Sequence, residues 1–211
     1  MILCVTVRDL LFVTWQVAPE DVAAKLPAGL EPELVDGSGL VTLAFARAVR
    51  ARLGRLPVPS FSKLTVHSYV TGSHGPGLYF LEARVSRSTL GRGLLGIPFA
   101  TARVRARRGV ALAPQLRASI RYQTNGAGEP PELGSGLIGS QEIAYFESGG
   151  LFRLVARHAP IDWNDAETIA PPEYGPVTAL GFDVAVAPNS LLYSDRVSFR
   201  AELPPARVGR R

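Results

Sequence analysis

Lys63-Leu64-Thr65-Val66-His67-Ser68-Tyr69-Val70 changes character with a period of two, and that period decides the fold. In an extended chain Lys63, Thr65, His67 and Tyr69 share one face, while Leu64, Val66, Ser68 and Val70 share the other. Working outward, short β-rich runs recur at residues 40–47, 78–86, 100–107, 116–123, 143–146, 151–157 and 197–203. Turn chemistry separates them. Asp36-Gly37-Ser38-Gly39, Arg108-Gly109 and Gly149-Gly150 supply residues that tolerate left-handed backbone between extended segments. Frequent turns at short spacing predict an antiparallel sheet that folds into a barrel or a sandwich.

Helical signals are few. Pro19 opens Glu20-Asp21-Val22-Ala23-Ala24-Lys25-Leu26, with acids in the first turn and lysine in the last, and Pro27 and Gly29 stop it. A second helix is expected from Ser86 or Ser88 to Leu95, with Leu90, Leu94 and Leu95 on one face. Residues 125–136 and 160–176 are rich in Gly, Pro, Asp and Glu and read as loops, the latter long enough to cover a cavity mouth.

The chain has 211 residues, 46% hydrophobic and 19% charged, which is enough apolar material to form a core without metals or disulfides. Its single cysteine, Cys4, excludes an intramolecular disulfide and fits a reducing, cytoplasmic setting. The segment 1–15 is apolar but carries Arg8 and Asp9, so it reads as neither a signal peptide nor a membrane span. The net charge of +5 raises the question of nucleic acid. Arg103, Arg105, Arg107 and Arg108 form the densest basic cluster, but they alternate with Ala102, Val104 and Ala106. That is the pattern of a solvated strand face without aromatics for base stacking.

Chemistry-bearing motifs are equally sparse. His67, His74 and His158 have no zinc-like spacing to further ligands, so no metal is expected. There is no G-x-S-x-G elbow, and Gly91-Arg92-Gly93 and Gly134-Ser135-Gly136 lack the rest of a dinucleotide or phosphate-loop fingerprint, so no cofactor is expected. The Lys63–Tyr69 face is the informative one. By the same alternation the neighbouring run places Phe80, Glu82 and Arg84 on one side, so a Lys/His face is expected to meet a Glu/Arg face. Two arrangements satisfy this: solvent-facing stripes with cross-strand ion pairs, or a polar lining inside a barrel.

Six motifs carry a resemblance. Asp9-Leu10-Leu11-Phe12 with Trp15, Leu26-Pro27-Ala28-Gly29-Leu30, the Leu64–Val70 strand, Gly77-Leu78-Tyr79-Phe80, Gly96-Ile97-Pro98-Phe99 and Leu191-Leu192-Tyr193-Ser194 run in register from about residue 8 to residue 208. In this order the chain resembles the YqjF-like domain of unknown function, which is similar to the acetoacetate decarboxylase superfamily. The resemblance implies a closed, cone-like antiparallel β-barrel with an internal ligand cavity and two or three short peripheral helices. It also implies that a Gly-x-Pro turn should precede a lysine pair, one member forming a Schiff base. Here Phe99 and Ala100 follow Gly96-Ile97-Pro98, and neither side chain forms an imine. A glutamate of the superfamily falls near Lys63 instead.

The expectations are therefore a single barrel domain over residues 1–211 with a flexible tail from about 205. It is expected to bind a small organic acid or carbonyl compound, with Lys63, Thr65, His67, Tyr69, Glu82 and Arg84 as ligand-binding residues. The alternatives are a Schiff-base lyase or decarboxylase-like enzyme with Lys63 as its catalytic residue, and a basic nucleic-acid-binding barrel. No membrane partner is expected, and a homodimer is compatible with exposed sheet edges.

Overall fold

The computed structural model of the chain describes residues 1–87, 98–127 and 137–209. The helix expected around 88–95 lies outside them. Strand dominates. The long strands are β1 (Ile2–Val17), β3 (Gly39–Leu53), β5 (Phe61–Gly72), β6 (Gly75–Val85) and β15 (Ser190–Glu202), joined by the shorter β11 (Ile143–Glu147) and β12 (Leu151–His158). These seven pair in the order β12-β11-β6-β5-β3-β1-β15, and β15 pairs again with β12, so the path returns on itself as a ring.

The ring is uneven. β1 shares twelve registered residue pairs with β15 and twelve with β3, whereas β12 meets β15 through three and β11 meets β6 through two. The expected purely antiparallel sheet needs correction: β11 runs parallel to β6, as does the two-residue β7 (Ala100–Thr101). Gly77 lies beside that thin parallel join, where a Cβ would stand 2.6 Å from the Ile143 carbonyl oxygen and 2.9 Å from the Tyr145 ring. Gly77→Ala is expected to force the strands apart and cost about 1–3 kcal/mol of stability, read as a lowered urea midpoint.

Outside the ring lies a second layer of β8 (Arg105–Arg107), β9 (Val110–Ala113) and β10 (Ala118–Ala127), with β13 (Asn164–Thr168) linking β10 to β15 and β14 (Glu173–Tyr174) pairing β10. Leu11, Val13 and Trp15 of β1, Val41, Leu43 and Phe45 of β3, and Leu64 and Val66 of β5 bury their side chains here against Ala106, Ala111, Ala113 and Ile120. Helices α1 (Pro19–Ala23) and α2 (Gly175–Ala179) close the same core with Val22 and Val177. Three small strands complete the chain: β2 (Leu30–Pro32) on β5, β4 (Leu56–Val58) on β3, and β16 (Ala206–Arg207) on β12. The segment read as a tail from about 205 thus contributes a strand.

Four sequence expectations meet physical exceptions. Segment 100–107 is not one strand: β7 pairs with the ring and β8 with the second layer, because the chain crosses between them at Ala102–Val104. Segment 160–176 is not all loop, since the polar run Asn164-Asp165-Ala166-Glu167-Thr168 is held extended by its pairing with β10 and β15 despite poor β-propensity. The turn at Asp36–Gly39 forms, with φ of 51° at Asp36 and 78° at Gly37, but joins only an isolated Val35–Ser38 bridge. The opening segment, read only as neither signal nor span, is the central strand β1. Among the described residues no helix is long and apolar enough to cross a membrane.

Candidate ligand-binding site

All seven ring strands turn side chains inward onto a cavity of about 180 Å³. What keeps it open is residue size. Ala44, Ala48 and Ala51 on β3, Ala144 on β11, Ala156 on β12 and Ala201 on β15 stand where larger residues would fill the interior. Phe12, Phe61, Phe80 and Phe199 supply aromatic wall, and Gln141, Glu142 and His158 are the polar residues besides the β5 group. His158 holds its Nδ1 2.8 Å from the Ala159 carbonyl and its ring 4.9 Å from Phe199.

Besides a bulge at Arg50 of β3, φ 49°, which brings Ala51 inward after Ala48, two bulges decide which residues face inward. On β1 the register shifts between Arg8 and Leu11, with Asp9 at φ 52°, so Leu3, Val5 and Val7 point in before it and Leu10 and Phe12 after it. The turned-out Asp9 is buried and accepts an ion pair from Arg47 at 3.2 Å. On β6 the register shifts at Leu81: Val66 pairs with Glu82, but His67 pairs with Phe80.

This second bulge corrects the expected meeting of a Lys/His face with a Glu/Arg face. Lys63, Thr65 and His67 line the cavity, and their partners across β6 are Val85, Ala83 and Phe80. Glu82 and Arg84 lie opposite Val66 and Leu64 on the outward face and pair with each other at 2.7 Å. Tyr69 is fully buried at the end of the row, its ring 5.7 Å from that of His67, and its hydroxyl accepts a hydrogen bond from Thr42 Oγ1 at 3.4 Å. It stands behind His67 and does not line the cavity.

The electrostatics of the inward row are unusual. Lys63 keeps some accessible surface, which faces the cavity it lines, yet it sits deep within the chain. Among the described residues no carboxylate is within ion-pair distance of it. Loss of hydration lowers its pKa, because burial penalises the ammonium. His67 is 1% exposed, and neither ring nitrogen has a hydrogen-bond partner among the described residues. Burial, and then the positive charge of Lys63, pull its pKa down to about 3. At neutral pH it is therefore an uncharged imidazole, one nitrogen donating and the other accepting, and not the proton-donating cation that a carbinolamine step would use.

Phe99, the first of the two positions where the resemblance would put a lysine pair, contributes an aromatic ring to the cavity wall. A mostly apolar pocket is what the sequence leads one to expect, but the residues that form its apolar lining were missed. Its signal was available in the alternating Ala44, Ala46 and Ala48 of β3, which read as strand without the notice that small residues on one face leave space. The arginines at 103, 105, 107 and 108 are exposed, with Ala102, Val104 and Ala106 buried between them, so they form an outer face remote from the cavity. Among the described residues no three His, Cys, Asp or Glu side chains converge as a metal site would require.

Solved structures of acetoacetate decarboxylase-like proteins are similar to this chain in fold. An acetoacetate decarboxylase-like enzyme from Sphingomonas wittichii RW1 superposes with a TM-score of 0.66 at 14% identity, covering 98% of this chain and 92% of that one. The acetoacetate decarboxylase of Legionella pneumophila gives 0.65 at 11% identity, with 98% and 87% covered. The enduracididine biosynthesis enzyme MppR, complexed with pyruvate, gives 0.60 at 15% identity, with 100% and 90% covered. No curated protein is matched in sequence. The chain belongs to the DUF2071 family of uncharacterised conserved proteins, which it matches over residues 5–198.

Proposed function

We propose that the strand ring works as a closed barrel whose cavity binds a small organic acid or carbonyl compound, the ligand's polar end meeting Lys63, Thr65 and His67. The observation that carries this reading is a pair of polar groups, Lys63 and His67, that have no partners among the described residues and face a mostly apolar interior. Polar groups in a protein interior are nearly always hydrogen-bonded, and those left open at a cavity wall are suited to a ligand that completes them. Pyruvate in the MppR complex is a compound of the proposed kind, bound by a protein of the same fold.

A second reading gives Lys63 an imine-forming role. It is favoured by the Glu82–Arg84 pair, which removes the carboxylate that would otherwise hold Lys63 as an ammonium. One experiment addresses both readings: a thermal-shift panel of aldehydes, ketones, keto acids and carboxylates, each repeated with borohydride and read by intact mass. Stabilisation by one compound class is expected, and an adduct confined to Lys63 supports the imine. The chain's only other lysine, Lys25, serves as an internal control. No stabilisation by any member of the panel overturns the ligand reading, and adducts at Lys25 alone overturn the imine.

A further inference from the structure

We propose that the ligand is a monocarboxylate with an apolar body, of the medium-chain fatty-acid class, its carboxylate paired with Lys63 and its chain lying along Phe12, Phe61 and Phe80. This narrows the ligand reading above and rests on it. The first argument is charge count. Among the described lining residues Lys63 is the one lysine or arginine, since Arg84 is turned to the outer face and engaged by Glu82. One buried cation matches one anion. A dicarboxylate, or a keto acid whose carbonyl consumes the lysine as an imine, would leave a carboxylate in the apolar interior without a counter-charge.

The second argument is hydrogen bonding. Lys63, Thr65 and His67 alternate along one strand face, so they form a row of polar groups toward which both oxygens of a carboxylate can turn. A neutral imidazole has one N–H to give, and His67 gives it to nothing else. A charged pair inside a protein is stabilising only when further hydrogen bonds complete it, and this row can supply them. The remaining titratable lining groups are Glu142, which has Arg157 3.9 Å away, and His158, whose Nδ1 is 2.8 Å from Ala159 O.

The third argument is volume and polarity. A cavity of about 180 Å³ walled by alanines and phenylalanines holds about six water-sized units at roughly 30 Å³ each, on the scale of the about five to seven apolar carbons of a six- to eight-carbon acid. A two- or three-carbon acid would leave most of that apolar surface without contacts.

The test is titration calorimetry and thermal shift on the full chain with octanoate, octan-1-ol, pyruvate and acetoacetate, using wild type and Lys63→Met. Octanoate is expected to bind at least about tenfold more tightly than octan-1-ol and than either keto acid. In Lys63→Met that preference for octanoate over octan-1-ol is expected to disappear while octan-1-ol still binds, which also shows that the variant is folded. Equal binding of octanoate and octan-1-ol by wild type overturns the charge pairing. Tighter binding of pyruvate or acetoacetate overturns the ligand class but leaves the cavity a ligand site. Silence from all four together with a silent aldehyde and ketone panel removes the ligand reading itself.

Discussion

Lys63→Met is expected to stabilise the protein at pH 7 and raise its urea midpoint, because burial penalises the ammonium and lowers the pKa of the amine. In the unfolded chain the lysine is hydrated and keeps its ordinary pKa near 10.5, whereas in the fold burial lowers it. Between the two values the unfolded state holds the extra proton, so wild-type stability falls as pH drops through that window and stays low beneath it. Methionine fills a similar volume and removes the penalty. Urea midpoints of the two proteins at pH 7 and pH 10 measure it: the gap should be large at the lower pH and narrow at the higher. A variant no more stable than wild type at pH 7 would mean that the amine is solvated or paired. A residue that weakens its own fold is retained for what it does, which in many proteins is binding or chemistry.

Acid should unfold this protein through His67. Its pKa of about 3 in the fold, against 6.5 for the free side chain, means that the unfolded state binds the proton first as pH falls. Stability is therefore present in full above about pH 6.5 and is lost progressively toward pH 3, a cost of several kcal/mol if the ring stays buried. His67→Phe keeps an aromatic ring against Phe12 and Tyr69, which His67 meets edge to face at 5.5 and 5.7 Å. It also cannot take up a proton. Urea denaturation from pH 7 to pH 4 is expected to show a smaller loss of midpoint for the variant than for wild type. Parallel curves would place the acid sensitivity elsewhere.

Period-two alternation in Lys63–Val70 was enough to read the mainly β fold and to gather Lys63, Thr65 and His67 on one face. The turns at Arg108-Gly109 and Gly149-Gly150 also form where their residues place them, and the helix after Ala18 starts as read but ends at Ala23, short of Lys25 and Leu26. Besides Arg50 on β3, two added residues were not legible. Strict alternation carries Glu82 to the side of Lys63, and only the pairing of His67 with Phe80 reveals the extra residue at Leu81 that turns both charges outward. On β1, Asp9 accomplishes the same change of face, and nothing in Arg8-Asp9-Leu10-Leu11 taken alone marks it as the kink. Strand β13 was hidden for another reason: its polar residues are extended because of their neighbours β10 and β15, which a local pattern does not contain.

The unequal ladders of the ring have a kinetic meaning. Lys63 and His67 are anchored on β5, between β3 with eight registered pairs and β6 with ten, while the wall across the cavity is joined by sets of two, five and three. Fewer hydrogen bonds must break to part β6 from β11, or β12 from β15, than to move the amine. The chamber is thus a fixed jaw and a loose one. Local opening is expected first at the loose jaw, while the fixed one keeps its geometry. On the ligand reading proposed above, a guest's departure would then wait on backbone motion at that jaw as well as on its own affinity.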